Sequence, residues 1–367
     1  MKKDVVYKFG GSSVKDAKAI ERCCSIVLNH NPGAVVVSAT YNTTNQLEAL
    51  FRCVDQSSKE EFDQLQEEII QKHLRILDDL GFPEKSEQFR EFLSPILKKI
   101  EKQYIDKNTS AASLDEFYSL GEMMSSWIFH TKLHEGVETA AWVDSREWLK
   151  TDNSYNHAQP RLAQIKENVL SLNNMHSRPW VTQGFIGSTM SSEVTTLGRE
   201  GSDYSATLLA EALSAKEVVI WTDVDGVYSA DPRVVNDARK IPFLTYGQAE
   251  LLAESGAKVL YSSTLAPAKR SGFRVRVASS IVHESQGTLI SGEDPQDIFA
   301  ITMKNYSESL DALTVVFPSS SFSSIQSELK GFETLRRTNG LWQGLVPSST
   351  SKEVLKSVHA ALLNSCV

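Results

Sequence analysis

The sequence predicts an α/β protein with a mostly parallel sheet, followed by a small α+β domain, and three observations predict it. Short β-rich apolar runs alternate with longer stretches of helical period. Glycine-containing turns follow the first of those runs and precede a helical stretch near residue 200. The turn residues Ser291-Gly292-Glu293-Asp294-Pro295 then break the pattern before a last block of about 70 residues, the size of a small domain.

Taken in order, Val5–Phe9, Ala34–Val37, Pro179–Thr182, Glu217–Trp221 and Arg274–Ala278 read as buried strands. Between about Glu60 and Lys102 the chain turns charged and helical in period, punctuated by Gly81, Pro83 and Pro95, which reads as a solvated helical hairpin. The expected division is a large domain over 1–292 and a small one over 298–367. In the latter, Ile298–Lys304, Ala312–Phe317, Phe332–Thr338 and Gly340–Val346 are candidate strands, and Phe322–Leu329 and Lys352–Leu363 candidate helices, together one βαβ-type unit.

The 367 residues carry a net charge of −8 without a basic stripe, so no nucleic-acid partner is expected. No apolar run approaches the roughly 20 residues of a membrane helix, and MKKDVVYKF enters a strand at once, so no membrane partner and a cytoplasmic location are expected. Cys23, Cys24, Cys53 and Cys366 lack metal-ligand spacing and read as reduced, inert thiols. The eight histidines are scattered, so any metal is expected to arrive with a nucleotide.

Three constellations carry possible chemistry. In Lys8-Phe9-Gly10-Gly11-Ser12-Ser13-Val14 a strand ends in a cation and two glycines before a helical stretch. Glycines let backbone N–H groups approach an anion, although a tight βα turn explains the same residues. In Thr195–Ala206, Arg199, two glycines, Ser202 and Asp203 precede a helix that Ser202 or Asp203 could cap; Asp203 could orient Mg²⁺ or a phosphate-bound lysine. Past the strand Glu217–Trp221, Thr222, Asp223, Tyr228 and Arg233 follow the carboxyl end, where open α/β sheets bind ligands. Asp225-Gly226 and Asp231-Pro232 there are explained as turns. Glu122 in SLGEMMS and Lys258 in GAKVL are weaker candidates, each by itself read as a solvated charge.

KFGGSSV, TTLGREGSDYSA and WTDVDGVYSADPRVV, in this order, resemble the aspartate kinases of the amino-acid-kinase family. Further agreement comes from VSATYNTTNQL, SLGEMMS, TQGFIGS, GAKVL, VASS and GTLI, so the resemblance covers nearly all of residues 4–292. It implies an amino-acid-kinase-like parallel-sheet sandwich with substrate and ATP meeting over the strands' carboxyl ends, and a reaction moving the γ-phosphoryl group of MgATP to the side chain of L-aspartate. Carried over by motif, Lys8 and Asp203 would be catalytic. Ser38, Thr44, Glu122, Arg199 and Ser202 would face aspartate. Lys8, Gly10, Gly11, Ser12, Thr222, Asp223, Tyr228, Arg233 and Lys258 would bind ATP.

The chemistry suits those residue types. An aspartate side chain, with a reference pKa of about 3.9, is already ionised at neutral pH and needs no general base. The obstacle is bringing it against a triphosphate, which calls for cations, N–H donors and Mg²⁺.

Three departures stand out. The family usually has a second glycine where this chain has Glu200, so that side chain must point away from phosphate. It commonly continues GAKVL with His-Pro, where this chain has Tyr261-Ser262. Aspartate kinases usually carry two ACT modules, whereas the last block has room for about one. One shortened ACT-like module implies a homodimer with weak or absent lysine or threonine control. Two other readings compete: an acetylglutamate or glutamate kinase, against which Glu122 argues because an acylated amine has no charge to pair, and a regulatory subunit on a kinase fold.

Overall fold

The computed structural model describes residues 4–56, 58–256, 262–282, 285–292, 298–318, 322–338 and 340–365. The chain forms two compact units, Met1–Asp223 with Ser279–His283, and Val224–Ala278 with Glu284–Val367.

The first unit contains β1 (Val5–Phe9), α1 (Ala17–His30), β2 (Ala34–Val37), α2 (Thr43–Gln56), α3 (Lys59–Asp79), α4 (Ser86–Ile105) and α5 (Ala111–Gly136). After these come β3 (Ala141–Val143), α6 (Ser145–Trp148), α7 (Leu162–Met175), β4 (Trp180–Gln183), the short hairpin β5 (Ile186–Ser188) and β6 (Val194–Thr196), α8 (Gly201–Leu213) and β7 (Glu217–Thr222). Its sheet runs β3-β4-β2-β1-β7, and every neighbouring pair is parallel. Strand β2 shows no alternation of apolar and polar residues. All four of its residues are buried, as a parallel strand covered on both faces requires. Helix ends follow local chemistry: Asp16, Ser58 and Ser110 accept N–H bonds at the N-termini of α1, α3 and α5, and Asn31 closes α1 in the left-handed region at φ 49°.

The charged stretch after residue 58 forms the expected helical hairpin, α3 and α4. Pro95, read as punctuation, does not end α4. Phe89, Leu93, Ile96 and Ile100 form a continuous buried stripe along that helix, and packing outweighs the backbone bond that proline forfeits.

The second unit contains β8 (Phe243–Thr245), α9 (Tyr246–Glu254), α10 (Ser262–Ser271), β9 (Arg274–Ser279), β10 (Thr288–Ser291), β11 (Ala300–Asn305), β12 (Leu310–Val316), α11 (Phe322–Ile325), β13 (Glu333–Thr338), β14 (Leu341–Pro347) and α12 (Ser351–Ser365). A four-stranded sheet, β11-β12-β14-β13, has only antiparallel neighbours. Because β12 and β13 both oppose β14, they run parallel to each other with β14 between them, a split βαβ arrangement connected through α11. The helix expected over 322–329 stops at Ile325. Leu313, Val315, Trp342, Val346, Leu355, Val358 and Leu362 form part of the core beneath this sheet.

Candidate active site

In the first unit, β1 lies between β2 on one side and β7 on the other, so the chain switches direction across the sheet at its carboxyl end. Ligands of open α/β sheets bind at such a switch point. The Gly10–Gly11 turn leaves β1 there. The Gly10 N–H donates to the Trp221 carbonyl at 3.2 Å, and a Cβ on Gly11 would stand 2.8 Å from the Ala39 carbonyl oxygen. That close approach, rather than conformational freedom, explains the second glycine. Ser12 is half-buried in the single 3₁₀ turn Gly11–Val14.

Lys8, at the end of β1, and Asp203, in the first turn of α8, form the central charge pair. Lys8 Nζ lies 2.6 Å from Asp203 Oδ1, with both side chains under a tenth exposed. Asp203 Oδ1 receives the ammonium without hydrogen-bond geometry and has no other donor, so this buried oxygen keeps acceptor capacity. Ser202 is buried beside it, and Gly184 accommodates its close approach, since a Cβ there would fall 2.5 Å from Ser202 Cβ. Neither Ser202 nor Asp203 caps α8, contrary to the sequence expectation. Glu200 holds the cap position at φ 56° with no side-chain cap bond, while Asp203 is engaged by Lys8. The left-handed backbone explains why glycine suits residue 200, and Glu200 occupies it with an exposed side chain.

Glu122 projects from α5, buried, and accepts the Ala39 N–H at 3.1 Å. Burial pushes its carboxyl up to about 8, against the pull of that N–H and of the Lys8 charge. Ser38, half-buried after β2, is fixed by its N–H bond to the Phe9 carbonyl at 3.1 Å. Lys8, Gly10, Gly11, Ser12, Ser38, Glu122, Ser202 and Asp203 all belong to this unit around the carboxyl ends of β1 and β2. Thr44 is exposed on the first turn of α2, and Arg199 is exposed just before α8. Thr222 ends β7 and donates to Asp223, which is exposed.

The remaining nominated residues lie in the second unit. Tyr228 is half-buried and bridges to Lys240. Arg233 is on the surface, its guanidinium forked over Asp231 at 3.0 and 2.8 Å. Lys258, with Tyr261, lies outside the described residues.

Two supports were missed by sequence reasoning. Asp115, seven residues before Glu122 on α5, is fully buried and accepts from the Thr196 N–H (2.9 Å), the Thr196 hydroxyl (2.6 Å) and the Asn156 N–H (3.0 Å). It braces the start of the Thr196–Gly201 segment, and burial pushes its carboxyl up to about 6. The seven-residue spacing on a helical pattern, which puts both carboxylates on one face, was the available signal. The second support, on α3, involves His73 and Lys72, which gave no such signal.

Comparisons with known proteins place the chain in a family. The model of the Amino acid kinase family matches residues 3–279. Lysine-sensitive aspartokinase 3 of Escherichia coli K12 is 39% identical over 311 residues, covering 83% of this chain and 68% of that protein. The aspartokinase of Chlamydia pneumoniae is 36% identical over 292 residues, 79% of this chain and 63% of that protein. The chain thus spans about two thirds of the length of these curated relatives. The crystal structure of E. coli aspartokinase III in complex with aspartate and ADP superposes with a TM-score of 0.84 at 28% identity, covering 98% of this chain and 99% of that one. Sequence motifs, sheet topology and these likenesses together make the chain a member of the amino acid kinase family, on its aspartokinase branch.

Proposed function

We propose that this chain is an aspartate kinase, moving the γ-phosphoryl group of MgATP to the side-chain carboxylate of L-aspartate to give 4-phospho-L-aspartate. The observation that carries the reading is the buried Lys8–Asp203 pair at the switch point, with Glu122 buried within electrostatic reach of Lys8.

The acceptor carboxylate is already a nucleophile, so the site's work is to neutralise charge and align the two anions. Lys8 supplies a cation where the phosphoryl group would pass, and Asp203 orients it. Gly10, Gly11 and Ser12 offer the adjoining backbone and hydroxyl donors. Glu122 suits the substrate ammonium, and its ionisation would be driven by that charge. Arg199 suits bidentate capture of the α-carboxylate, with Ser38, Thr44 and Ser202 completing the pocket. Thr222, Asp223, Tyr228, Arg233 and Lys258 would line the ATP site.

Mg²⁺ would arrive with ATP. It needs one or two carboxylates beside substrate phosphates and waters, and Asp203, with acceptor capacity left on a buried oxygen, fits that demand. Among the described residues no group of three or more His, Cys, Asp or Glu side chains comes together. When bound, the ion would screen the triphosphate.

We assign the kinase function to 1–292 and dimerisation to an ACT-like module at 298–367, whose split βαβ sheet is compatible with that role. The fully exposed strand β13 presents an edge of that sheet. No helix among the described residues is long and apolar enough to cross a membrane. Dependence on ATP and a free amino acid favours the cytoplasm.

Trapping the acyl phosphate with hydroxylamine tests the reading, with L-aspartate, L-glutamate and N-acetyl-L-glutamate run in parallel, each with and without lysine or threonine. Product from aspartate is expected, and the effector arms show whether this chain responds to either amino acid. Product from another acceptor alone, or from none by a folded protein that binds MgATP, would overturn it.

A further inference from the structure

Behind the loop that follows β2, a chain of buried hydrogen bonds runs from α3. His73 Nδ1 lies 2.8 Å from the Ile69 carbonyl, and His73 Nε2 lies 3.0 Å from Thr40 Oγ1. Thr40 Oγ1 is 2.6 Å from Thr43 Oγ1, which accepts from Lys72 Nζ at 2.9 Å. A carbonyl can only accept, so the His73 proton sits on Nδ1 and Nε2 is an acceptor. Thr40 must therefore donate to Nε2 and Thr43 to Thr40, which leaves Thr43 to accept from Lys72. Every bond in the series has one direction. Full burial, which holds the imidazole down at about 4, keeps His73 neutral in this arrangement.

Lys72 completes the grip. Its three N–H donors meet three acceptors, the Tyr41 carbonyl at 2.7 Å, Thr43 Oγ1 at 2.9 Å and Gln46 Oε1 at 3.2 Å. Both ends of the loop thus take their position from adjacent residues of α3. The loop itself includes Asn42 in the left-handed region at φ 65°, a conformation that needs support from its surroundings. On its other side Ala39 donates to Glu122 and Ser38 to Phe9. His73 is wholly enclosed, and among the described residues its hydrogen bond toward the site goes to Thr40.

We propose that His73 is a positioning residue: by accepting from Thr40 it holds the Ser38–Thr44 loop in the form that presents Ser38 and Glu122 to the amino-acid substrate. This rests on the aspartate kinase reading. It also gives the helical hairpin a role beyond that of a solvated surface element.

The test compares His73→Leu, which removes the acceptor at similar bulk, His73→Gln, which can return an oxygen acceptor toward Thr40, and Thr40→Val, which removes the donor. Leaving a buried hydroxyl unpaired is expected to raise KM for aspartate about tenfold in His73→Leu, with KM for ATP unchanged. Amide hydrogen exchange at residues 39–44 should accelerate by about the same factor, because local opening of the loop becomes easier. His73→Gln should return both readouts to within about threefold of the starting protein. Thr40→Val should repeat the KM effect, and adding it to His73→Leu should cost little more.

Equal loss for aspartate and ATP with faster exchange throughout the unit, or no rescue by glutamine, would overturn the proposal and leave His73 a core residue. Unchanged exchange at 39–44 in His73→Leu would overturn it as well. If the unaltered protein makes no acyl phosphate from aspartate, the functional reading fails; the exchange comparison still decides whether His73 orders the loop.

Discussion

Lys8 and Asp203 meet in the first unit with side chains 9% and 6% exposed, whereas Arg233 and Asp231 form an equally direct pair in the second with side chains 82% and 37% exposed. The two pairs have similar lengths and opposite physical meaning. Removing one partner of a buried pair strands a charge in a poor solvent, while an exposed pair exchanges its bonds with water at little net cost. Apolar residues in place of the first would be the easier way to stabilise the fold, which accords with the ligand role proposed for that pair. The second lies in water, where an ion pair contributes little.

The buried pair is tested most directly at Lys8. Lys8→Ala should abolish turnover, by about a thousandfold or more, since it removes the only cation paired with Asp203 among the described residues. Asp203 would remain buried and unpaired, so unfolding should also become easier, by about 3–5 kcal/mol. Adding Asp203→Asn to Lys8→Ala should recover much of the stability and none of the activity. Turnover assays and denaturant melts of the parent and both variants check both halves.

Gly11→Ala comes next. The new methyl would press on the Ala39 carbonyl at 2.8 Å, so the turn or the loop after β2 must move. Since both carry nominated substrate contacts, kcat/KM should fall about 10- to 100-fold, the range expected when reacting groups are displaced by a fraction of an ångström. Gly10→Ala is the control. Its methyl would meet Lys8 Nζ at 3.4 Å, an ordinary van der Waals contact, and should be milder.

Glu122 offers a prediction in pH. Its carboxyl, raised from about 4.5 to about 8 by burial, is mostly protonated in the ligand-free site at neutral pH. Binding an ammonium group should ionise it, so aspartate uptake at pH 7 should release close to one proton, measurable by calorimetry in buffers of different ionisation enthalpy. Affinity should rise about tenfold from pH 6 to pH 7 and level off above about 8. Stability of the ligand-free protein has the opposite dependence. The folded state binds more protons between the two values, so this contribution declines as pH rises from about 4.5 to about 8. Glu122→Gln should remove both effects together.

How much of this could be read in advance follows from what each residue depends on. The strands of the first unit were legible because burial on both faces leaves uninterrupted apolar runs, as the four buried residues of β2 illustrate. Lys8, Gly10, Gly11, Ser202 and Asp203 were legible because their motifs are local. The left-handed backbone at Glu200 was not, since glycine normally marks such a position and this chain lacks it there. Nor were His73 and Lys72, whose roles are set by contacts with residues 26 to 33 positions away along the chain, while Asp115, 81 positions from Thr196, offered only its helical spacing from Glu122. Pro95 misled for the same reason: tertiary packing of α4 outweighs the local signal of proline.

Arg233→Ala probes the exposed pair and should do least. Its guanidinium pairs with Asp231 at the surface, so the melting behaviour should stay within about 0.5 kcal/mol of the parent. If the fork opens to take a phosphate, KM for ATP should rise a few-fold with KM for aspartate unchanged, and the rise should shrink as salt is added, because exposed charges are screened. An Asp231→Asn variant keeps the same guanidinium and removes the carboxylate charge that competes for it. That variant should leave KM for ATP unchanged or lower it slightly, which separates a nucleotide contact from a turn brace: a brace would make Arg233→Ala and Asp231→Asn behave alike.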